Sequence, residues 1–223
     1  AIDMHFAGRM INSPNDYDVV IKLIPTKNDN FFVCMRLCSI QDNRFAYRKN
    51  VLPTSMHPSQ AALIVSLAKP YLKETAQIMD PFCGVGTLLI ERAHLVPARE
   101  IYATDTYGDA ITMGRENAAF AKTRINFIHR DFFDFRHDYK FDELITDMPV
   151  RNRQTKAEME LFYERFFDKA AEHLVSGGII VMYSNEIGFV KKQIRLRVEY
   201  RLLQETCILD KKDFYLFVIR YED

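Results

Sequence analysis

Apolar positions along the chain follow two alternating patterns from residue 53 onward. Short apolar runs, typical of buried strands, cover 77–79, 101–104, 126–129, 142–146 and 178–183. Segments with helical spacing lie among them, at 59–72, 87–95, 107–121, 156–174 and 187–201. Strands that alternate with helices predict an α/β fold, with a parallel sheet and right-handed crossovers.

Both ends of the chain depart from this alternation. Two strand-like runs at 200–209 and 214–221 are separated only by a short charged turn, so they must pair antiparallel. Near the start, strands at 18–24 and 31–37 are predicted to form a β-hairpin. An isolated hairpin is marginally stable in water. We therefore expect it to pack on the main domain or to be the end of a further domain.

Composition narrows the class of protein. We divide the 223 residues into a hairpin and linker over 1–50 and an α/β domain over 51–223. Lys plus Arg and Asp plus Glu both total 30, so no overall positive charge indicates a nucleic-acid partner. No apolar run approaches the roughly 18 residues of a membrane span. The four scattered cysteines are expected to be reduced, with no metal site, which predicts a cytoplasmic protein.

The most informative motif is a glycine turn between a strand and a helix. Strand 77–79 ends in an acid, and the helix at 87–95 opens directly after the turn. Glycines let the backbone approach a ligand closely, and a helix start offers free N–H groups. This order predicts a nucleotide-like cofactor site at the carboxyl edge of the sheet. Its candidate residues are Asp80, Pro81, Phe82, Cys83, Gly84, Gly86 and Thr87.

Two further predicted strands also leave an aspartate at that edge. Asp105 follows the glycine turn by about 20 residues, a position from which a carboxylate accepts hydrogen bonds from a ribose diol. Asp131 follows the next strand and is expected to bind an adenine amino group. Asp80 would repel a pyrophosphate but can pair with the ammonium of methionine. We therefore favour S-adenosylmethionine (SAM) over a dinucleotide as the cofactor.

The fourth strand of the predicted sheet delivers Asp147, Met148 and Pro149 to the same edge. This stretch is similar to the Asn/Asp-Pro-Pro-Tyr/Phe motif of amino-methyltransferases that act on nucleobases. An exocyclic amine is a poor nucleophile because its lone pair is delocalised into the ring. A carboxylate and a proline-fixed carbonyl that accept its N–H bonds orient the lone pair. We predict that these three residues form the reaction site, with Asp147 also bordering the cofactor.

The chain departs from that motif at its last position. Val150 replaces the aromatic residue, and Arg151 stands where a glycine commonly follows. Stacking of a base on an aromatic ring contributes about 1–3 kcal/mol, of which valine supplies a fraction. The base could stack instead on Phe132, Phe133 or Tyr163. Alternatively, the motif is a buried strand end in a degenerate site. The loop 151–153 either contacts phosphates or is solvated.

Together, residues 80–93 and 146–149 resemble the THUMP-associated RNA methyltransferases, which act on guanine N2 of tRNA and rRNA. Residues 45–49 and 55–62 agree more weakly, and the resemblance extends from about residue 40 to the end of the chain. It implies a Rossmann-like class I methyltransferase fold, with a seven-stranded, mostly parallel sheet and a C-terminal antiparallel hairpin. It also implies SAM as cofactor, RNA as partner, and a separate RNA-binding THUMP domain. Residues 1–50 would be a remnant of that domain.

Three hypotheses about function stay open. The first is an N-methyltransferase for an RNA base, most simply guanine N2. The second is an enzyme of the same fold that acts on DNA adenine or on protein glutamine. The third is a SAM-binding or RNA-binding accessory protein without turnover, favoured by Val150 and Arg151. SAM affinity without turnover on any RNA would distinguish the third from the first.

Two predicted helices have chemistry that is open to more than one interpretation. The helix 187–201 carries five cations beside an apolar stripe. We interpret it as the last helix that covers the sheet, with contact to phosphates as the alternative. The aromatic-rich segment 161–167 is expected to pack in the core rather than to contact substrate.

Overall fold

The computed structural model describes residues 11, 13, 15, 17–37, 43–209 and 213–223. Its contacts divide the chain into two units, one that extends to Phe45 and one that runs from Ala46 to Asp223. Most of the charged turn predicted before the last strand lies outside the described residues, as does Cys38.

The first unit contains the predicted hairpin. Strands β1 (Val19–Pro25) and β2 (Phe31–Leu37) pair antiparallel, from Val19 opposite Leu37 to Pro25 opposite Phe31. The turn between them is closed by the amide of Thr26, which donates to the carbonyl oxygen of Asn30 at 2.8 Å. The prediction of a hairpin here is confirmed.

The second unit is one sheet with helices on its faces. In chain order its elements are α1 (Pro58–Ala68), β3 (Gln77–Asp80), α2 (Thr87–Leu95), β4 (Glu100–Asp105), α3 (Gly108–Phe120), β5 (Asn126–His129), β6 (Phe141–Asp147), α4 (Lys156–His173), β7 (Leu174–Ser184), α5 (Ile187–Leu196), β8 (Tyr200–Leu209) and β9 (Phe214–Tyr221). Short 3-10 turns follow α1 and β5, at Lys69–Tyr71 and Phe132–Asp134. None of the described helices is both long and apolar enough to cross a bilayer.

The strand order confirms the predicted fold class. The seven strands lie in the order β5-β4-β3-β6-β7-β9-β8. β3 pairs parallel with both β4 and β6, whereas β9 runs antiparallel to β7 and β8. This is the Rossmann-like sheet of class I methyltransferases, with its antiparallel C-terminal hairpin. The order reverses between β3 and β6, the place where open α/β sheets bind ligands.

Two helices end earlier than their sequence patterns predict. Pro70 limits α1, because a proline inside a helix removes a hydrogen bond and clashes with the preceding turn. The helix predicted over 187–201 ends at Leu196, since Arg197 has an extended backbone with φ −123° and ψ 109°. The chain turns there to bury Tyr200, whose hydroxyl donates to the carbonyl oxygen of Phe167 at 2.7 Å.

The two lysines of α5 pair with acids of neighbouring elements. Lys191 lies 2.8 Å from a carboxylate oxygen of Glu205, and Lys192 pairs with Glu160. The apolar side of α5 is buried at Phe189 and Val190. These contacts support the interpretation of α5 as a helix that covers the sheet rather than one built to bind phosphates.

A buried ion pair joins α2 to the centre of the sheet. The guanidinium of Arg92 and the carboxylate of Glu143 are fully buried and share two hydrogen bonds, at 2.9 and 3.0 Å. Arg92 also donates to the carbonyl oxygens of Lys73 and Val96. Glu143 accepts a further bond from the amide of Lys73 at 2.8 Å. The pair is therefore satisfied on both sides and connects α2, β6 and the loop after α1.

The buried side-chain amide of Asn117 stabilises the segment that precedes α1. The Oδ1 atom of Asn117, on α3, accepts from the amides of Lys49 and Asn50 at 3.0 and 2.9 Å. Its Nδ2 atom donates to the carbonyl oxygen of Asn50 at 2.9 Å. Within the same segment, the guanidinium of Arg48 donates to the carbonyl oxygen of Met56 at 3.0 Å. We call residues 46–56 the strap.

We expect the substitution Glu143→Gln to lower the free energy of unfolding by about 3–5 kcal/mol, because it leaves a buried guanidinium without its counter-charge. Denaturant titration of both proteins measures this loss. Asp168→Asn is the matched control, since it removes an acid whose side chain is 62% exposed and paired with Arg197. An exposed pair contributes only about 0–1 kcal/mol. Equal losses in the two variants would contradict the central role of the buried pair.

Candidate active site

A cavity of about 610 Å³ opens where β3, β4 and β6 end. Its wall combines four segments that are far apart in the chain: the strap, the glycine turn with the start of α2, the end of β4, and the end of β6 with the residues that follow it. The lining residues are Leu52, Thr54, Ser55, Met56, Asp80, Phe82, Cys83, Gly84, Val85, Thr87, Leu88, Asp105, Asp147, Met148, Pro149, Val150, Arg151 and Asn152.

The glycine turn has the shape that the motif predicts. Gly84 and Gly86 have φ angles of +51° and +78°, which side chains rarely adopt. A Cβ atom on Gly84 would meet nothing within 4 Å, so this position is open. A Cβ atom on Gly86 would lie 2.7 Å from the ring of Phe127, so only glycine fits there. The turn is fastened to β4 by the amide of Cys83, which donates to the carbonyl oxygen of Thr104 at 3.0 Å.

Two of the three carboxyl groups that line the cavity resist ionisation. Burial raises the pKa of Asp80 to about 8. The amide of Phe82 donates to its Oδ1 at 3.0 Å and partly offsets this effect, because the bond favours the ionised form. The negative charges of Asp147 and Asp105 raise this pKa further. Burial alone raises the pKa of Asp147 to about 7. A cation in the cavity would stabilise both carboxylates.

The third carboxyl group holds the turn in place. Oδ2 of Asp105 accepts from the amide of Gly84 at 2.8 Å, and Oδ1 accepts from the amide of Tyr107 at 2.9 Å. A carboxylate has about four accepting positions, so each oxygen can still accept from a ligand. Thr87 offers another polar contact, because its buried hydroxyl oxygen has no hydrogen-bond partner among the described residues.

The segment after β6 is held by the neighbouring strand. Asp147 lies opposite Tyr183 in the parallel pairing of β6 with β7. The amide of Met148 donates to the carbonyl oxygen of Tyr183 at 2.9 Å. The hydroxyl of Tyr183 accepts from Nε2 of Gln60, on α1, at 2.7 Å. The carboxylate and the Met148-Pro149 backbone are therefore set at the cavity wall by three elements.

The structure brings most of the predicted site residues together. Of the cofactor candidates, the cavity is lined by Asp80, Phe82, Cys83, Gly84, Thr87, Asp105 and Asp147, and the reaction candidates Met148 and Pro149 join them. Among the described lining residues, three candidates are missing: Pro81, Gly86 and Asp131. The exposed Asp131 caps the 3-10 turn after β5, and its Oδ1 accepts from the amide of Phe133 at 2.9 Å.

Two of the three proposed stacking residues are excluded by burial. Tyr163 and Phe132 are 0% and 1% exposed, because both pack in the aromatic core to which the buried side of α4 contributes. Phe133 is partly buried, and the guanidinium of Arg165 lies 4.2 Å from the centre of its ring. The expectation that the segment 161–167 packs largely in the core is confirmed by Tyr163 and its neighbours Phe166 and Phe167.

The sequence predicts only some of the strap residues that line the cavity. The motif at 55–62 indicates Ser55 and Met56, but nothing in the sequence pattern points to Leu52 or Thr54. Their position depends on Asn117, which is distant in the chain. The proline at position 53 is the one local signal for an extended segment here.

Comparison with known proteins agrees with this geometry. Residues 46–206 match the UPF0020 family, the RMKL-like methyltransferase domain. The chain is 32% identical to the tRNA (guanine(10)-N2)-dimethyltransferase of Methanothermobacter thermautotrophicus, over 78% of this chain and 54% of that protein. It is 25% identical to the release factor glutamine methyltransferase of Lactococcus lactis, over 61% and 56%. The chain thus spans about half the length of these curated relatives.

Among solved structures, TrmN from Thermus thermophilus superimposes with a TM-score of 0.70. It covers 91% of this chain, which in turn covers 60% of TrmN, at 20% sequence identity. This likeness supports the fold. The family match over residues 46–206, together with the sheet that carries the cavity, shows that the chain belongs to the RMKL-like methyltransferase domain family of class I, SAM-dependent methyltransferases.

Proposed function

We propose that this chain methylates an exocyclic amine of an RNA base, with guanine N2 of tRNA as the acceptor. The observation that carries the proposal is the convergence of Asp80, Asp105 and Asp147 on one cavity, with Met148 and Pro149 beside the last of them. The archaeal relative with 32% identity acts, by its name, on guanine N2 of tRNA. That likeness supports the choice of acceptor.

The carboxylates of the cavity fit SAM. The buried carboxyl of Asp80 would bind its ammonium, since an opposite charge offsets the cost of ionising a buried acid. Asp105 would accept hydrogen bonds from the ribose hydroxyls at the positions that its two backbone donors leave free. The open position at Gly84 would let the backbone approach the ligand. Asp131, at the end of β5, stays our candidate for the adenine amino group.

The residues after β6 would orient the acceptor. SAM supplies an electrophilic methyl group when it is bound. The carboxylate of Asp147 and the carbonyl groups of Met148 and Pro149 would accept the N–H bonds of the amine and turn its lone pair toward the cavity. Positioning of this kind is the main source of rate enhancement here. With a pKa of about 7, Asp147 is also suited to take up the proton that the amine releases late in the reaction.

RNA binding would need more than this chain supplies. Its formal net charge is zero, and the chain spans about half the length of its curated relatives. Phosphate contacts dominate the affinity of proteins for nucleic acids. We therefore propose that an additional RNA-binding domain, of the THUMP type that the sequence resemblance implies, presents the RNA to this site.

Protein glutamine is the second candidate acceptor. The side-chain amide of glutamine also presents a planar NH2 group, but it is too small to require an aromatic stacking partner. Val150, which is 50% exposed at the cavity, suits such an acceptor. The Lactococcus lactis relative acts, by its name, on a glutamine of a release factor.

One experiment compares these functions directly. Titration calorimetry with SAM is run beside transfer of labelled methyl groups to unmodified tRNA, unmodified rRNA and a purified release factor. N2-methylguanosine after RNA digestion would support the proposal, and label in the release factor would support the second candidate. Binding without transfer to any acceptor means either that the additional RNA-binding domain is required or that the role is accessory, and the same assay on a longer protein that carries such a domain distinguishes the two.

We expect Asp105→Ala to weaken SAM binding more than tenfold, because the variant loses the acceptors for the ribose and the anchor of the glycine turn. A tenfold change corresponds to about 1.4 kcal/mol. Calorimetry measures the dissociation constant. Asp109→Ala is the control, since Asp109 lies four residues further along, in the first turn of α3, and does not line the cavity. Unchanged affinity in Asp105→Ala would refute the ribose assignment.

We expect Asp147→Ala to lower kcat strongly while SAM binding is retained. The variant loses both the acceptor for the N–H bonds of the amine and the group that takes up its proton. General acid–base catalysis of this type contributes about 10²–10⁴-fold. Single-turnover methyl transfer measures the rate, and calorimetry confirms that the cofactor site is intact. A rate near that of the wild type would remove Asp147 from the reaction.

We expect SAM binding to strengthen as the pH rises from 6 toward 8. Below its pKa of about 8 the carboxyl of Asp80 holds a proton, which the cationic ligand must displace. Calorimetry at pH 7 in two buffers of different ionisation enthalpy measures the protons released. The variant Asp80→Asn should lose most of this release, and Asp147→Asn a smaller part. Binding without proton release would contradict the pairing of Asp80 with the ammonium.

A further inference from the structure

An RNA base that reacts at an exocyclic amine needs a flat surface to lie on. Bases taken out of a stack are held between aromatic, apolar or guanidinium surfaces. The aromatic position of the reaction motif is Val150, whose branched side chain offers a small contact area. If the proposed function holds, another side chain at the cavity must supply most of the stacking energy.

Three lining side chains after β3 and β6 carry a flat group: Phe82, Arg151 and Asn152. The ring of Phe82 is already engaged, because its centre lies 5.4 Å from that of Phe162 and 5.9 Å from that of Phe132. The carboxamide of Asn152 has a small flat area. The guanidinium of Arg151 is therefore the best remaining surface on the segment that follows Asp147.

Arg151 forms an ion pair with an acid whose backbone is itself anchored. Its Nε atom lies 3.8 Å from Oε1 of Glu186, whose side chain is 19% exposed. The amide of Glu186 donates to Oγ of Ser184 at 3.0 Å, and that hydroxyl shares a bond of 2.6 Å with the buried Tyr163. The Arg151 side chain is 45% exposed and lines the cavity, so part of it stays accessible to a ligand.

We propose that the guanidinium plane of Arg151, held by Glu186, replaces the missing aromatic ring and stacks on the acceptor base beside Asp147. Guanidinium groups stack on aromatic faces through both their flat shape and their charge. This role differs from a phosphate contact, which requires the charge but not the plane. The inference rests on the proposed function, because a glutamine acceptor would not need this surface.

The test distinguishes the contribution of the flat shape of the Arg151 guanidinium from that of its positive charge. Variants Arg151→Ala, Arg151→Lys and Arg151→Tyr, each in a protein that also carries the RNA-binding domain, are compared by kcat/KM for a pool of unmodified tRNA transcripts and by the dissociation constant for SAM. We expect Ala and Lys to lower kcat/KM for RNA by about 5- to 150-fold, the range of base stacking. Arg151→Tyr should have a kcat/KM for RNA within about threefold of the wild-type value, because its ring supplies the flat surface. The affinity for SAM should stay unchanged in all three variants.

Two control variants test the location of the stack. Arg153→Ala removes the same charge two residues along, from a side chain that does not line the cavity, and should change kcat/KM little. Phe82→Leu removes the competing flat surface. A larger loss in Phe82→Leu than in Arg151→Ala, with the affinity for SAM unchanged, would place the base on Phe82 and overturn the proposal.

The remaining outcomes are also decisive. Full activity in Arg151→Lys with loss in Arg151→Tyr would show a phosphate contact and overturn the stacking role. Full activity in Arg151→Ala would exclude any contact with substrate. If wild-type protein methylates the release factor and no RNA, the proposed function fails and this inference fails with it. Transfer to RNA that is insensitive to position 151 rejects the inference alone.

Discussion

The carboxyl group of Asp80 is buried where the central strand β3 ends, and the rest of the site depends on how that burial is balanced. An acid in this position is stable when protonated or when a cation lies beside it. The parallel strands β4 and β6 end at the same edge and add Asp105 and Asp147. Three acids in one small cavity favour a cationic ligand, and SAM carries positive charge.

The fold could be predicted well from the sequence because its signals are local. Apolar runs, helical spacing and the glycine turn each lie within a few residues. The end of α5 was missed because the pattern of charge and apolar residues continues past it, through Val198, which is fully exposed. The turn there is imposed by the burial of Tyr200, a tertiary contact that no local pattern reveals.

The candidate site was predictable where a motif carries it and unpredictable where packing does. The residues at the ends of β3, β4 and β6 could be identified because strand ends of a parallel sheet share one edge. The burial of Phe132 and Tyr163 could not, because it depends on how α4 covers the sheet. The Arg92–Glu143 pair joins residues 51 positions apart, and neither residue has a pattern that indicates its partner.

The hydrogen bonds of Asn117 to the strap affect ligand binding as well as packing. Its side chain fastens the strap to α3 through the backbone of Lys49 and Asn50, and the strap then forms one wall of the cavity. The wall is therefore ordered when the domain folds, and its conformational entropy is not lost again when a ligand enters. Rigidity acquired during folding in this way increases affinity without any added contact. A helix that does not line the cavity thus contributes to how tightly a ligand would be held.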